Sequence, residues 1–335
     1  KSIRYNESVA LNDTVTLTFH EVSHILGSAW VEVVVRPARA GGDQGKEQRI
    51  VFSGDVGNPP TPLLRPIEYP ENADYLIIES AYGGRLHEDR DQRKNILHQA
   101  IMDTVARKGV LMIPSFALER TQELLLEIDT LFEAGKLPKV PIFVDSPLAA
   151  KLTDVYGRFS HYFNESAKEI LRDNDLLFRF PWLVMSKSAE ESKHINGILP
   201  PKVIIAGSGM SQGGRILHHE ARYLSDPKST ILFAGYQVKG SLGRRILDGN
   251  KEVAIFGQPV PVRCHIVTIG GYSAHADQNG LLEFVHQTAR GDRLKQVFLV
   301  QGEDTSALAL GEKIREKLGI PSTIPDHAQT VTLEP

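Results

Sequence analysis

Short β-rich runs alternate with helix-like segments along the chain, and this alternation is the feature that most limits its fold. The runs Thr14–Phe19 and Trp30–Val35 have the composition of strands. Further strands are predicted at 50–52, 75–78, 110–113, 141–144, 203–206, 231–234, 263–269 and 297–300, with helices at 91–107 and 119–134. Strand–helix–strand order is typical of crossover connections, so we predict an α/β fold.

The composition indicates a two-domain protein of a reducing compartment. A chain of 335 residues with 41% hydrophobic content is too long for one ordinary core. The formal net charge of −3 gives no overall attraction to nucleic acid, so a phosphate-binding surface must be local. The single cysteine, Cys264, excludes an intrachain disulfide and is predicted to be a buried, inert thiol. Because no apolar run reaches about 18 residues, we expect a cytoplasmic protein that does not bind a membrane.

His20-Glu21-Val22-Ser23-His24 matches the H-E-x-x-H pattern of zinc peptidases. That chemistry needs both histidines on one face of a helix, whereas the flanking sequence is typical of strands. Trp30 also occupies the position of the third ligand in the longer form of the pattern. The peptidase therefore stays a remote alternative.

Four ionisable residues, His24, Asp55, Glu79 and His275, each follow an apolar strand. Imidazole nitrogens and carboxylate oxygens are both zinc ligands, and a carboxylate that orients an imidazole lets it act as a general acid. Taken singly, each has an ordinary structural explanation, such as a turn for Asp55. Sites on α/β folds gather at one end of the sheet, so we predict that the four residues form one site.

These segments resemble, in order, motifs 3, 4, A and B of the β-CASP group of metallo-β-lactamase proteins. The matching sequences are H-I-L-G-S-A, S-G-D-x-G, E-S-x-Y-G and S-A-H-A-D, and they extend over nearly the whole chain. The resemblance implies a metallo-β-lactamase fold, an αββα sandwich, with an inserted α/β β-CASP cap domain. It places the metallo-β-lactamase domain at 1–83, the cap at 84–271 and the return to the first domain at 272–335.

The resemblance also implies a chemistry. His24 would ligate zinc, Asp55 would bridge two zinc ions, and Glu79 would orient His275 as the proton donor to the leaving group. The family hydrolyses phosphodiesters, mostly in RNA, with a metal-activated water. Single-stranded RNA is the expected partner, and a homodimer is a further expectation.

Three glycine-containing or serine-containing loops of the cap are predicted to bind substrate phosphate. D-S-P-L-A resembles the family's D-S-P-M-A loop, and S-G-M-x-x-G-G-R is a family segment that leads into a helix. The third loop, 235–245, contains Tyr236, whose ring can stack on a base, and it also carries local positive charge. Each loop can equally be a helix start that needs Gly or Ser. The predicted phosphate-binding residues are Ser146, Ser208, Gly209, Arg215, Lys239 and Arg244.

Two departures from the family pattern weaken the expected zinc centre. None of the twelve histidines forms motif 2, H-x-H-x-D-H, so we expect an N-terminally incomplete metallo-β-lactamase domain. Gln301 stands where motif C usually has histidine, and an amide oxygen is a poor zinc ligand. We therefore expect partial zinc occupancy at most, in place of two ions, and absent or impaired activity. A catalytically dead RNA-binding β-CASP module is the alternative. The sequence leaves open endonuclease against exonuclease action and RNA against DNA preference.

Overall fold

The computed structural model describes residues 2–36, 46–87, 92–173, 178 and 180–334. The chain divides into two compact units, Lys1–Leu86 with Ala274–Pro335 and His87–Ser273. The predicted domain boundaries lie within three residues of the boundaries between these two units. The assignment of the domains stays a prediction. The predicted α/β fold class is confirmed. Within the described ranges, no helix has the length and apolar character needed to cross a membrane.

The helices and strands follow one another in the predicted rhythm. In chain order they are β1 (Ser8–Ala10), β2 (Val15–Glu21), β3 (Ala29–Val35), β4 (Gln48–Phe52), β5 (Tyr75–Glu79), α1 (Arg93–Ala106), β6 (Val110–Pro114), α2 (Arg120–Glu133), β7 (Ile142–Asp145), α3 (Pro147–Arg158), α4 (Glu165–Asp173), β8 (Leu183–Met185), α5 (Ala189–Ile195), β9 (Lys202–Ala206), α6 (Ile216–Tyr223), β10 (Thr230–Phe233), α7 (Leu242–Leu247), β11 (Glu252–Ile255), β12 (Gln258–Pro261), β13 (His265–Thr268), α8 (Gln278–Thr288), β14 (Gln296–Val300), α9 (Asp304–Leu318) and β15 (Ser322–Thr323).

The first unit is built on a seven-stranded mixed sheet in the order β1-β2-β3-β4-β5-β14-β15. Strands β1 to β4 pair antiparallel, whereas β4, β5, β14 and β15 pair parallel. The inner strand β5 has an almost continuous apolar sequence, as expected for a strand covered on both faces. Its Leu76 and Ile78 pack with Phe284 of α8 and Leu310 of α9 in one core.

The second unit contains a six-stranded parallel sheet in the order β13-β10-β6-β9-β7-β8. All five positions of β6 and of β9 are buried, which is typical of a parallel sheet between two layers of helices. The loops that follow the strands of such a sheet meet at its carboxyl edge, where α/β proteins bind ligands.

Two local predictions are settled by this fold. His20 lies in β2 opposite Trp30 of β3, with the two rings stacked at 4.0 Å, so the helix that an H-E-x-x-H peptidase requires is not formed here. The peptidase alternative is therefore wrong. Cys264 is buried as predicted, and burial raises the pKa of its thiol to about 12.

Candidate functional site

The loop after β2 carries His24 and is held by the side chain of Ser28. Ser28 Oγ accepts hydrogen bonds from the N–H groups of His24 and Ile25, at 3.2 and 3.1 Å. Gly57 lies against this loop so closely that a Cβ there would come within 2.0 Å of the Ser23 carbonyl oxygen. Gly57 N–H donates to the carbonyl of Val22 at 2.9 Å. The second glycine of S-G-D-x-G is therefore what lets the Asp55 loop pack beside His24.

Asp55 follows β4 and faces two of the other predicted site residues. Its Oδ2 lies 3.5 Å from His24 Nε2. Its Oδ1 accepts a hydrogen bond of 2.6 Å from Gln301 Nε2. Gln301 follows β14, which is two places from β4 in the same sheet. The amide at the motif C position is thus a donor to the predicted bridging carboxylate.

Glu79 and His275 form a carboxylate–imidazole pair. Both carboxylate oxygens of the buried Glu79 lie 3.0 Å from His275 Nδ1. Val56 N–H donates to Glu79 Oε1 at 2.5 Å, which fixes the carboxylate from the other side. His275 is held at its backbone by a bridge to Gly57. With Nδ1 turned to Glu79, Nε2 lies on the opposite edge of the ring.

The protonation of this pair follows from its surroundings. Burial lowers the pKa of His275, but the hydrogen bond and charge of Glu79 and the charge of Asp55 outweigh it and raise that pKa above its ordinary value. Burial raises the pKa of Glu79. The two groups therefore share one proton, and we assign it to His275, because the imidazolium faces two carboxylates.

The ligand atoms of His24, Asp55 and His275 all lie within 4.8 Å of one another. Within the described part of the chain, this is the one group of at least three such residues that could hold a metal ion. Two imidazoles and a carboxylate are a donor set that suits zinc, and three protein ligands leave a coordination position open. The residues present fit one zinc ion. His275, predicted as a proton donor only, is also within reach as a ligand.

The predicted phosphate-binding residues all lie in loops that follow strands β7, β9 and β10 of the second unit, or in the first turn of the helix after them. Several have partners within the unit. Ser146 caps α3 by accepting from Ala149 N–H at 3.1 Å, and Ser208 Oγ accepts from Gln212 N–H at 3.2 Å. Arg244 Nε donates to Asp248 at 2.8 Å, and Lys239 is exposed. Their role as phosphate ligands remains a prediction.

Arg215 belongs to a buried cluster that the sequence analysis did not identify. Its Nη1 donates to Asp145 Oδ1 at 2.8 Å and to Ser186 Oγ at 3.1 Å. Asp145 also accepts from His219 Nε2 at 2.7 Å and from Ser192 Oγ at 2.6 Å. Burial would raise the pKa of Asp145, but the hydrogen bonds from these partners outweigh it and lower that pKa to about 2. Asp145 is thus a fixed anion at the end of β7.

Comparison with known proteins agrees with these motifs. Residues 121–246 match the family model described as the Beta-Casp domain, and residues 259–325 match the Zn-dependent metallo-hydrolase RNA specificity domain. Ribonuclease TTHA0252 of Thermus thermophilus is 35% identical over 93% of this chain and 68% of its own length. An RNase J-like protein of Methanocaldococcus jannaschii is 32% identical over 96% and 72%. Transcription termination factor FttA of Pyrococcus horikoshii is 28% identical over 99% of this chain, which spans half of that relative. The chain therefore belongs to the β-CASP family of metallo-β-lactamase proteins.

Proposed function

We propose that this chain is a zinc-dependent phosphodiesterase that acts on RNA, with a metal site impaired by Gln301. The observation that carries the proposal is the convergence of His24, Asp55 and His275 within 4.8 Å, with Glu79 behind His275. Two relatives that the chain matches over at least two thirds of their length are named as a ribonuclease and an RNase J-like protein. Both names support RNA as the substrate class.

The residues divide the chemistry between binding and proton transfer. A zinc ion held by His24 and Asp55 would activate a water and polarise the phosphate, while His275 keeps its proton and is not a ligand. Glu79 holds His275 through Nδ1 and raises the pKa of the imidazole, which favours a proton on Nε2 that can pass to the departing oxygen of the cleaved bond. Glu79 is buried and acts through His275 rather than on the substrate.

Gln301 is the reason to expect impairment. Gln301 donates to Asp55 Oδ1 at 2.6 Å, so its amide competes with a cation for an oxygen of the predicted bridging carboxylate. The amide N–H is a donor with no lone pair for a metal, and it stands where the family usually has an imidazole. One zinc ion at most is therefore the expected occupancy of the described ligand set.

RNA binding is assigned to the carboxyl edge of the second unit's sheet. Lys239 is exposed, and the glycine-containing loop 207–214 leads into α6, where backbone N–H groups can bind phosphate. Single-stranded RNA is the proposed form of the substrate, because a loop with Tyr236 beside a cation suits unpaired bases. A homodimer and a cytoplasmic location are further parts of the proposal, and light scattering of the purified chain tests the dimer.

A catalytically dead RNA-binding module is the second candidate, and the Gln301–Asp55 hydrogen bond is the observation that favours it. Both candidates bind RNA, but only the enzyme needs zinc. The two are therefore distinguished by metal content and cleavage.

The test combines zinc titration calorimetry, RNA binding by fluorescence anisotropy and cleavage of a labelled single-stranded RNA. We expect one zinc per chain or less, lost in His24→Ala and tightened in Gln301→His, with slow cleavage that His275→Ala removes. RNA binding without zinc and without cleavage would establish the binding module instead. Two zinc ions per chain with fast cleavage would show that Gln301 does not impair the metal site.

A further inference from the structure

Phe116 is an exposed aromatic residue that has no part in the metal binding or proton transfer described above. It is the second residue after β6, and its side chain is 51% exposed. Strand β6 lies between β10 and β9 in the parallel sheet. Phe116 therefore stands between the loop that carries Tyr236 and the loop that carries Gly209, at the edge where the predicted phosphate-binding residues lie.

The Phe116 ring packs against Gly209. A Cβ at position 209 would come within 2.8 and 2.9 Å of ring atoms Cδ2 and Cε2, and within 3.1 Å of the Phe116 nitrogen. A side chain at position 209 is excluded while the ring keeps this place. Gly209 is thus required by packing against an aromatic ring, besides any role of its N–H group with phosphate.

The backbone around the ring is held on three sides. The Phe116 carbonyl accepts from Thr121 Oγ1 at 2.6 Å, and Ser115 N–H donates to Ala206 O of β9 at 2.9 Å. Gln237 Nε2 donates to the Gly209 carbonyl at 2.9 Å, which ties the loop after β10 to the loop after β9. A ring that is half exposed and already fixed loses little conformational freedom when a ligand stacks on it.

The surroundings favour a nucleic acid over a protein as the ligand. Tyr236 is a second exposed ring in the neighbouring loop, and Lys239 follows it with an exposed cation. Aromatic rings interspersed with cations form the kind of surface that binds single strands without sequence preference. A protein interface would be expected to bury a wider aliphatic patch than one ring beside glycines.

We infer that Phe116 stacks on an unpaired base of the RNA, as a sequence-tolerant contact that anchors the strand at the carboxyl edge of the cap sheet. The inference rests on the proposed function, because it takes RNA as the ligand. Phe116 then adds a second stacking ring to an edge for which the sequence predicts only phosphate contacts and the Tyr236 ring.

The test measures the affinity of the full chain for two labelled probes, a twelve-residue oligoadenylate and the same oligonucleotide with abasic riboses. Phe116→Ala and Phe116→Leu are expected to weaken oligoadenylate binding by about 5- to 100-fold, and Phe116→Tyr and Phe116→Trp to keep it. Leucine preserves an apolar contact with Gly209 but has no flat face, so it separates stacking from packing. The abasic probe should bind wild type and Phe116→Leu equally.

Two further measurements complete the design. The tryptophan of Phe116→Trp should be quenched by oligoadenylate and not by the abasic probe. Leu199→Ala is the matched control, because Leu199 is 83% exposed but precedes β9 at the opposite edge of the sheet, and it should change neither affinity.

Each other outcome overturns a specific claim. If wild type binds neither probe, the proposed RNA function fails and the stacking inference fails with it. If wild type binds oligoadenylate and Phe116→Leu binds it equally, RNA binding stands and stacking by Phe116 is wrong, as it would be if the ring covered a protein partner. If Phe116→Leu weakens both probes alike, the ring supports the loop and does not contact a base.

Discussion

In the described part of the chain, two buried carboxylates each hold a histidine, and they differ in what surrounds the ring. In the first unit Glu79 faces His275 Nδ1 at 3.0 Å, and in the second Asp145 faces His219 Nε2 at 2.7 Å. The His275 side chain is 29% exposed and lies beside His24, with ring centroids 4.5 Å apart. The His219 side chain is 1% exposed. A carboxylate–imidazole pair is thus open to a ligand in the first unit and closed to one in the second.

The difference shows that hydrogen bonding alone does not identify a reacting histidine. Asp145 has its charge fixed by Arg215, Ser192 and His219, and the imidazole of His219 is buried. Glu79 accepts a hydrogen bond from one backbone N–H, and both of its carboxylate oxygens face His275. Exposure of the imidazole and the presence of other ligand-type atoms near it separate a candidate catalytic pair from a stabilising one.

The largest expected effect is on stability, from Asp145→Ala. Arg215 and His219 would lose their shared acceptor, and removal of one partner from a buried ionic cluster costs about 3–5 kcal/mol. Urea unfolding followed by circular dichroism measures the loss. Asp248→Ala, which removes the exposed partner of Arg244, is the control and should cost less than about 1 kcal/mol. Equal losses in the two variants would contradict the structural role of Asp145.

The next effect is on cleavage and distinguishes the two pairs directly. Glu79→Gln removes the carboxylate that orients His275 as the proton donor, so the rate of RNA cleavage should fall by about 100-fold or more. Initial rates on a labelled single-stranded RNA measure this change. Asp145→Asn, the corresponding change in the other pair, should lower stability and leave the cleavage rate of the folded protein unchanged. A fall in cleavage for Asp145→Asn alone would reverse the assignment of the two pairs.

A smaller effect compares Asp145 with Glu220, a carboxylate on the same helix as His219. Glu220 accepts one hydrogen bond, from Ser211 Oγ, and burial raises its pKa to about 8. The folded state therefore binds more protons than the unfolded state between about pH 4.5 and 8. The free energy of unfolding should fall as the pH rises through this window, by up to about 1.4 kcal/mol per pH unit.

Urea unfolding at pH 6, 7 and 8 measures the slope. Glu220→Gln should flatten it, because the amide keeps an acceptor for Ser211 and has no proton to lose in this range. Glu190→Gln, at an exposed position on α5, should leave the slope unchanged. Parallel slopes in wild type and Glu220→Gln would show that Glu220 is ionised in the folded protein.

The sequence predicted those features that depend on short segments. Apolar runs gave the strands and their ends, so His24, Asp55, Glu79 and His275 could be placed together before their distances were known. The α/β class was predicted for the same reason. Motif spacing also drew attention to Gln301, since its neighbours match the family segment on both sides.

The features that the sequence did not predict depend on contacts between distant segments. His219 lies 74 positions from Asp145, and no local pattern marks it as the partner. The hydrogen bond from Gln301 to Asp55 spans 246 positions of the sequence. The contact between Phe116 and Gly209 joins the loops that follow two different strands. Arg215 shows the limit clearly, because its glycine-rich context suggested a phosphate ligand while the folded chain uses its Nη1 on Asp145 and Ser186.

The smallest expected effect on stability separates two arginines that the sequence treated alike. Arg215 pairs with the buried Asp145, whereas Arg244 pairs with the exposed Asp248 four residues away, a contact worth at most about 0.5 kcal/mol. Arg244→Ala should therefore unfold at nearly the same urea concentration as wild type. If Arg244 binds phosphate, the variant should weaken RNA binding alike for all sequences and reduce the slope of log affinity against log salt by about 1. Fluorescence anisotropy from 50 to 200 mM salt measures that slope, with Arg222→Ala, at the far end of α6, as the matched control. An unchanged slope would remove Arg244 from the phosphate-binding residues, and a large loss of stability would show that exposure is a poor guide to which arginine holds the fold.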